Sequence, residues 1–273
     1  MNIAVVTNTS LPEITRRDIL DNAQLFIERE DVGRDFGGYK DAIEILFARN
    51  ERIDQLILAN DSVYYLPNEA RPLIERALTC RGFGAITESR QTRHHAQSFF
   101  LVFAPRVHES EAFRRFWRNY RPIHTRHYAI RKGEFGLTRT LTKAGFAVEA
   151  FYTVDQLADA LAKLPDAELE RLVDYLPLSN RRAVRSSIAR GTLPLAAIID
   201  EVRHRNPAHA AAFLFLRTTG FPVLKRNLYK KRKYQFQELQ GILCATINAY
   251  AVELADDMRR GAFYPARSLV SIK

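Results

Sequence analysis

Cysteine is almost missing from this chain of 273 residues. Its two cysteines, Cys80 and Cys244, are too few for a disulfide framework or a cysteine-built zinc site, and they suit a reducing compartment. Long apolar runs are missing too. None approaches the ~18 residues that a membrane-spanning helix needs, and the longest, residues 210–216, reads as part of a buried helix. The N-terminus has no basic segment followed by an apolar one, so no secretory signal is expected and the expected setting is cytoplasmic. Internal repeats and low-complexity tracts are also lacking.

Acidic residues are the minority, 31 against 41 Lys and Arg, for a net charge of +10 and a pI near 9.7. That balance favours anionic partners, such as phosphate-bearing ligands or an anionic membrane surface. Nucleic acid is not expected, because no recognisable DNA- or RNA-binding motif accompanies the charge. The densest basic cluster is Lys225, Arg226, Lys230, Lys231, Arg232 and Lys233. Leu228, Tyr229 and Tyr234 interleave it, as in segments that lie at a membrane interface. A solvated loop between two helices has the same pattern.

What is present in quantity is ordinary globular sequence: 47% hydrophobic and 26% charged residues, long enough to bury a good core. Short apolar runs at 2–7 (NIAVVT), 24–27 (QLFI), 55–59 (QLILA), 83–87, 98–104 (SFFLVFA) and 146–151 read as strands. The almost fully apolar run 55–59 is of the kind buried in a parallel sheet. Helical spacing recurs over 39–48, 71–78, after the N-cap candidate Ser110, and from Glu134 to Gly145. The helix after Ser110 carries Phe113, Phe116, Trp117 and Tyr120 on one face, which reads as core. Strand, loop, strand, helix, strand argues for an α/β unit with ligands at the carboxyl ends of its strands. Beyond residue 152 the periodicity is helical throughout. Asn206-Pro207 starts a helix, Gly220 with Pro222 stops one, and 235–260 reads as one long helix. The expected organisation is an α/β domain over 1–152 and an all-helical region over 153–273.

Two segments carry candidate chemistry. In 29–40 (REDVGRDFGGYK) three glycines, Gly33, Gly37 and Gly38, sit among Arg34, Asp35 and Lys40 where a strand gives way to a helix. Glycines let backbone approach a bound group closely, and helix starts favour anions. In 56–65 (LILANDSVYY) an acidic tip, Asn60-Asp61-Ser62, closes the next apolar strand. Asp61 there can ligate a hard cation, Mg2+ or Mn2+, bridging two phosphates; a turn-starting aspartate fits the same position. Asn60 and Ser62 can assist as ligands or shape the turn. Together the segments suggest a nucleotide-sugar site. Asp35 can bond ribose or sugar hydroxyls and Arg34 a phosphate, or the two can pair with each other. Lys40 is a solvated first-turn residue or a phosphate contact. His94, His95, Gln97 and Ser98 can line the acceptor side, and because neighbours on a strand point to opposite sides, only one histidine, taken as His95, faces the site. Glu134 is the candidate general base; its place at a helix start is also favoured by the helix dipole alone.

These segments resemble the rhamnan synthesis F-like glycosyltransferases of bacterial polysaccharide assembly. The likeness runs through 29–40, 56–64, 94–103 (HHAQSFFLVF), 113–117 (FRRFW), 133–138 (GEFGLT), 206–209 (NPAH) and 221–228 (FPVLKRNL), nearly the whole chain. The resemblance implies a single-domain nucleotide-sugar transferase fold of the GT-A type, a mixed sheet flanked by helices. It implies transfer of a sugar, typically L-rhamnose from dTDP-rhamnose, onto a lipid-linked glycan, with Asn-Asp-Ser where a metal-binding acidic motif usually lies. The chain departs from the family in carrying Asp31 where Asn is more usual. It also begins at what looks like the second strand of such a fold, one strand–helix unit late. The combined expectation is an inverting, metal-dependent transferase working at the cytoplasmic face of the membrane. The alternative is a non-catalytic glycan-binding or assembly protein that retains the fold.

Overall fold

The computed structural model describes residues 2–229, 233–247 and 250–263. Among them the strands are, in chain order, β1 (Ala4–Thr7), β2 (Leu25–Glu28), β3 (Leu56–Ala59), β4 (Val63–Tyr65), β5 (Phe83–Ala85), β6 (Glu88–Ser89), β7 (His95–Ala96), β8 (Phe100–Phe103), β9 (Val148–Ala150) and β10 (Val223–Lys225). They form a mixed α/β structure of small sheets flanked by helices, with a largely helical C-terminal region.

The central sheet has the order β3-β8-β5-β9. β3 and β5 both run antiparallel to β8, and β9 runs parallel to β5. The apolar run 55–59 therefore does not sit in a parallel sheet as expected; its partner is antiparallel. The reason is visible on β8, where burial is two-sided. Phe100 and Val102 enter one core cluster with Phe99, Phe151 and Phe215, while Leu101 and Phe103 enter another with Phe36, Phe113 and Trp117. Helices cover both faces, so both sets of alternate side chains are apolar whatever the strand polarity.

β1 and β2 pair in parallel as a separate ribbon, joined by the helix Glu13–Asn22. Ser110 caps the helix Glu111–Asn119 as expected, its Oγ accepting from the Phe113 amide at 3.3 Å. Gly220, at φ 67°, ends the helix Ala212–Thr219.

Two expectations for the C-terminal region fail. It is not all-helical: β10 pairs antiparallel with β4, Val223 opposite Tyr65 and Lys225 opposite Val63. A three-residue strand has no period to detect, and its partner is far away in sequence. The segment 235–260 is two helices, Phe236–Thr246 and Ala251–Phe263, rather than one. One hydrophobic core also runs across residue 152, joining Val102 and Phe151 to Leu157, Ile198 and Phe215. No helix among the described residues is long and apolar enough to cross a membrane. Lys230, Lys231 and Arg232 of the basic cluster lie outside the described residues.

Candidate functional site

The helix Arg34–Ala48 opens on a backbone that few residues tolerate. Gly33 precedes it at φ 83° and Arg34 follows at φ 55°. A Cβ on Gly33 would lie 2.3 Å from the Pro122 Cβ, and one on Gly37 would lie 2.2 Å from the Val32 carbonyl oxygen. These glycines thus serve the approach of chain to chain. Gly37 and Gly38 are buried, facing Arg29 and Val6 rather than an open cradle. Lys40 also turns away: its Nζ donates to the carbonyls of Trp117 at 2.7 Å and Arg118 at 3.2 Å, satisfying the end of another helix.

Asp35 points the other way, toward the turn after β3. The Asn60 side-chain amide donates to Asp35 Oδ2 at 2.8 Å, while Asn60 Oδ1 accepts from the Ser62 amide at 3.0 Å and the Ser62 hydroxyl at 2.7 Å. Asn60 therefore shapes the turn and tethers Asp35 at once. Asp61, at the tip, is exposed, and its Oδ2 lies 3.6 Å from Arg226. Arg34 is exposed at the helix start, near enough for its charge to act on Asp35.

Glu134 lies near enough for its charge to act on Asp35. It ends a π-turn, Ala129–Glu134, that leads into the helix Phe135–Lys143, and such turns often mark functional positions. The Ser98 hydroxyl donates to Glu134 Oε1 at 2.6 Å, and His95 Nε2 lies 3.6 Å from Oε2. Behind them runs a polar chain. Asn206 Nδ2 donates to Gln97 Oε1 at 2.8 Å, and Gln97 Nε2 lies 2.8 Å from His95 Nε2. His95 Nδ1 lies 2.7 Å from the Arg93 carbonyl, which makes it the protonated nitrogen and leaves Nε2 to accept from Gln97. Asn206 precedes the helix Pro207–Ala210, but its side chain makes no cap and goes to Gln97 instead. Of the two histidines, His95 is buried here and His94 is exposed, bonded to Glu88 at 2.6 Å. The Tyr39 hydroxyl donates to the Ser98 carbonyl at 3.0 Å and fixes that strand against the Asp35 helix.

The site thus gathers Asp35, Asn60, Ser62, His95 and Glu134, with Arg34 and Asp61 at its rim. Gly37, Gly38 and Lys40 stand outside it. Residues 225 and 226 arrive without having been expected: Lys225 Nζ donates to Ser62 Oγ at 3.3 Å and sits 3.8 Å above the Phe99 ring. In the sequence they stand out by positive charge and by the 221–228 likeness, neither of which points to this site.

Burial raises the Asp35 carboxyl from 3.8 to about 6; the charge of Asp61 adds to this, Lys225 opposes it, and Glu134 adds again. The folded value lies above the unfolded one, so the native state binds this proton more tightly. Its contribution is fully present below 3.8 and is lost as pH rises through about 6. Asp35→Asn keeps an acceptor for Asn60 and removes the ionisation. It should raise stability above pH 6 by an amount on the order of 2–3 kcal/mol, with the gain shrinking in acid. Denaturant melts across that window check it; a pH-independent shift would show that ionised Asp35 carries no penalty.

Among the described residues no three His, Cys, Asp or Glu side chains gather as metal ligands. Asp35 is engaged by Asn60, Glu134 by Ser98, and Asp61 faces a guanidinium.

A family model described as rhamnan synthesis protein F matches residues 3–203. The chain belongs to the rhamnan synthesis protein F family. It is 27% identical over 180 residues to the uncharacterized protein y4gN of Sinorhizobium fredii, covering 64% of this chain and 47% of that protein. It is 25% identical over 226 residues to virulence protein VirA of Vibrio anguillarum, covering 81% of this chain and 67% of that one. The chain thus spans about half the length of the Sinorhizobium relative. No solved structure matches it. The description of the family model names rhamnan synthesis. Every segment of the site up to Glu134 lies within the matched residues, whereas Asn206, Lys225 and Arg226 lie beyond them.

Proposed function

We propose that this protein is an inverting glycosyltransferase of the GT-A nucleotide-sugar type. It would move a sugar, L-rhamnose from dTDP-rhamnose, onto a lipid-linked glycan. The observation that carries this reading is the convergence of Asp35, the Asn60–Ser62 turn and Glu134, from three separate family-matched segments, on one half-buried polar site. Glu134 is the base: its carboxylate takes the proton of the acceptor hydroxyl as that oxygen bonds to the anomeric carbon. The bond from that carbon to the diphosphate breaks on the opposite face, which inverts the configuration. Ser98 holds Glu134 in place through the 2.6 Å hydrogen bond. Asp35 and Asn60 bind hydroxyls of the donor.

The test is transfer of rhamnose from dTDP-rhamnose to a lipid-linked glycan by the purified protein, read with the anomeric configuration of the product. Inverted product supports the reading. Donor binding with no transfer to any acceptor would favour the non-catalytic glycan-binding or assembly role.

The acceptor is carried by lipid, and Lys230, Lys231 and Arg232 would bring the protein to an anionic inner membrane surface. Each would contribute on the order of 1 kcal/mol near the surface. Reversing their charge should release the protein from anionic vesicles in a co-sedimentation assay. Equal binding to neutral and anionic vesicles would leave no role for lipid charge.

A further inference from the structure

Lys225 and Arg226 belong by sequence to a basic cluster that reads as membrane-facing or solvated. The fold sends them to the site. β10 lies antiparallel to β4, which sets Lys225 opposite Val63, and the Arg226 amide donates to the Ser62 carbonyl at 3.2 Å. The backbone of residues 225–226 is thereby locked to the acidic turn. Lys225 Nζ lies 3.3 Å from Ser62 Oγ and close enough to Asp35 for its charge to act there.

Arg226 is held from two sides that differ in strength. Behind it, Asp257 on the helix Ala251–Phe263 is only 3% exposed; it lies 3.3 Å from the guanidinium and also accepts from the Tyr64 hydroxyl. In front, Arg226 faces Asp61: Nη1 lies 3.6 Å from the carboxylate, whose side chain is 70% exposed, and donates to the Asp61 carbonyl at a long 3.4 Å. The buried pair fixes the guanidinium, because losing either partner would strand a charge. The exposed pair is worth little and exchanges easily. A guanidinium anchored at its back and exchangeable at its front is suited to an incoming anion.

We infer that Lys225 and Arg226 form the anion-binding arm of this site and take the diphosphate of the nucleotide donor directly, in place of a metal ion at Asp61. The inference rests on the glycosyl-transfer reading and names how that site meets its donor's charge. The guanidinium plane matches two phosphate oxygens, and the ammonium adds a compact charge beside it. Asp257 is a positioning residue, acting through Arg226. Asp61 is then a competitor for the arm rather than a ligand of the donor's counter-ion.

Calorimetric titration of the full chain with dTDP, in EDTA and again with Mg2+, tests this. The expected result is binding in EDTA, weakened about tenfold or more by Lys225→Gln, the loss of one charge-assisted hydrogen bond. Asp61→Ala should bind dTDP as tightly as the native chain or more tightly. Arg226→Lys keeps a charge beside Asp257, so it avoids stranding a buried carboxylate, and it should weaken binding through loss of the planar fork. Binding that requires Mg2+ and disappears in Asp61→Ala would overturn the inference while leaving the glycosyl-transfer reading intact. Unchanged affinity in Lys225→Gln and Arg226→Lys would overturn it equally. No dTDP binding under either condition would overturn both.

Discussion

Glu134→Gln should slow sugar transfer by roughly 10²–10⁴-fold, the contribution of a positioned general base, while dTDP affinity changes little. The substitution isolates chemistry from structure. Gln keeps the length of Glu and an oxygen that can still accept from Ser98 Oγ, the 2.6 Å bond that orients the side chain. What it loses is the basic oxygen facing His95 Nε2 at 3.6 Å. A purely structural Glu134 would show its loss in the unfolding midpoint. A base shows it in the rate alone. If the Gln variant transfers sugar as fast as the native chain, Asp35, whose carboxyl burial raises to about 6, is the next carboxylate to replace.

Much of this site is legible in the sequence because its parts are local. The strand before Asn60 and the cap at Ser110 each follow from a few neighbouring residues, whereas His95 is buried and His94 exposed because the buried run begins at residue 95, not because neighbours alternate. Asp35 and Asp61 are visible for the same reason: each carboxylate sits next to a strand–helix or strand–strand junction. The glycines mislead. Gly37 reads as a place for a ligand to approach, yet the approaching atoms are the Val32 carbonyl and the Arg29 side chain. Sequence shows that space is needed at such a position without showing what fills it. Lys225 fails for a different reason. Its partner Ser62 is 163 residues away, and only the pairing of β10 with β4 brings them together. A three-residue strand after Gly220 and Pro222 has no periodicity of its own, so nothing local in the sequence points Lys225 at Ser62. The π-turn before Glu134 is similarly hidden, since its neighbour is the distant Phe36 ring.

That ring supports the other large effect. Phe36→Ala should cost roughly 3–5 kcal/mol of stability, the usual range for truncating a buried aromatic. Phe36 is 2% exposed, stacks on Trp117 with centroids 5.7 Å apart, and meets Tyr39 and Tyr120 at 5.9 and 5.5 Å. Its face also packs on Gly133 so closely that a Cβ there would lie 2.8 Å from the ring. Phe36 follows Asp35 directly and Gly133 precedes Glu134 directly, so this contact ties together the two segments that carry the carboxylates. The variant should therefore lose transfer activity even where it remains folded, below its own unfolding midpoint. Phe36→Leu retains most of the volume and should cost less than about 1.5 kcal/mol. Denaturant unfolding of both variants, read beside their transfer rates at low temperature, checks the pair of claims. An Ala variant that loses less than about 1 kcal/mol, against the range expected for a filled core, would show that the ring is not the keystone of this packing. An Ala variant that unfolds early yet transfers sugar at the native rate would separate the packing from the chemistry and leave the spacing of Asp35 and Glu134 to their hydrogen bonds with Asn60 and Ser98.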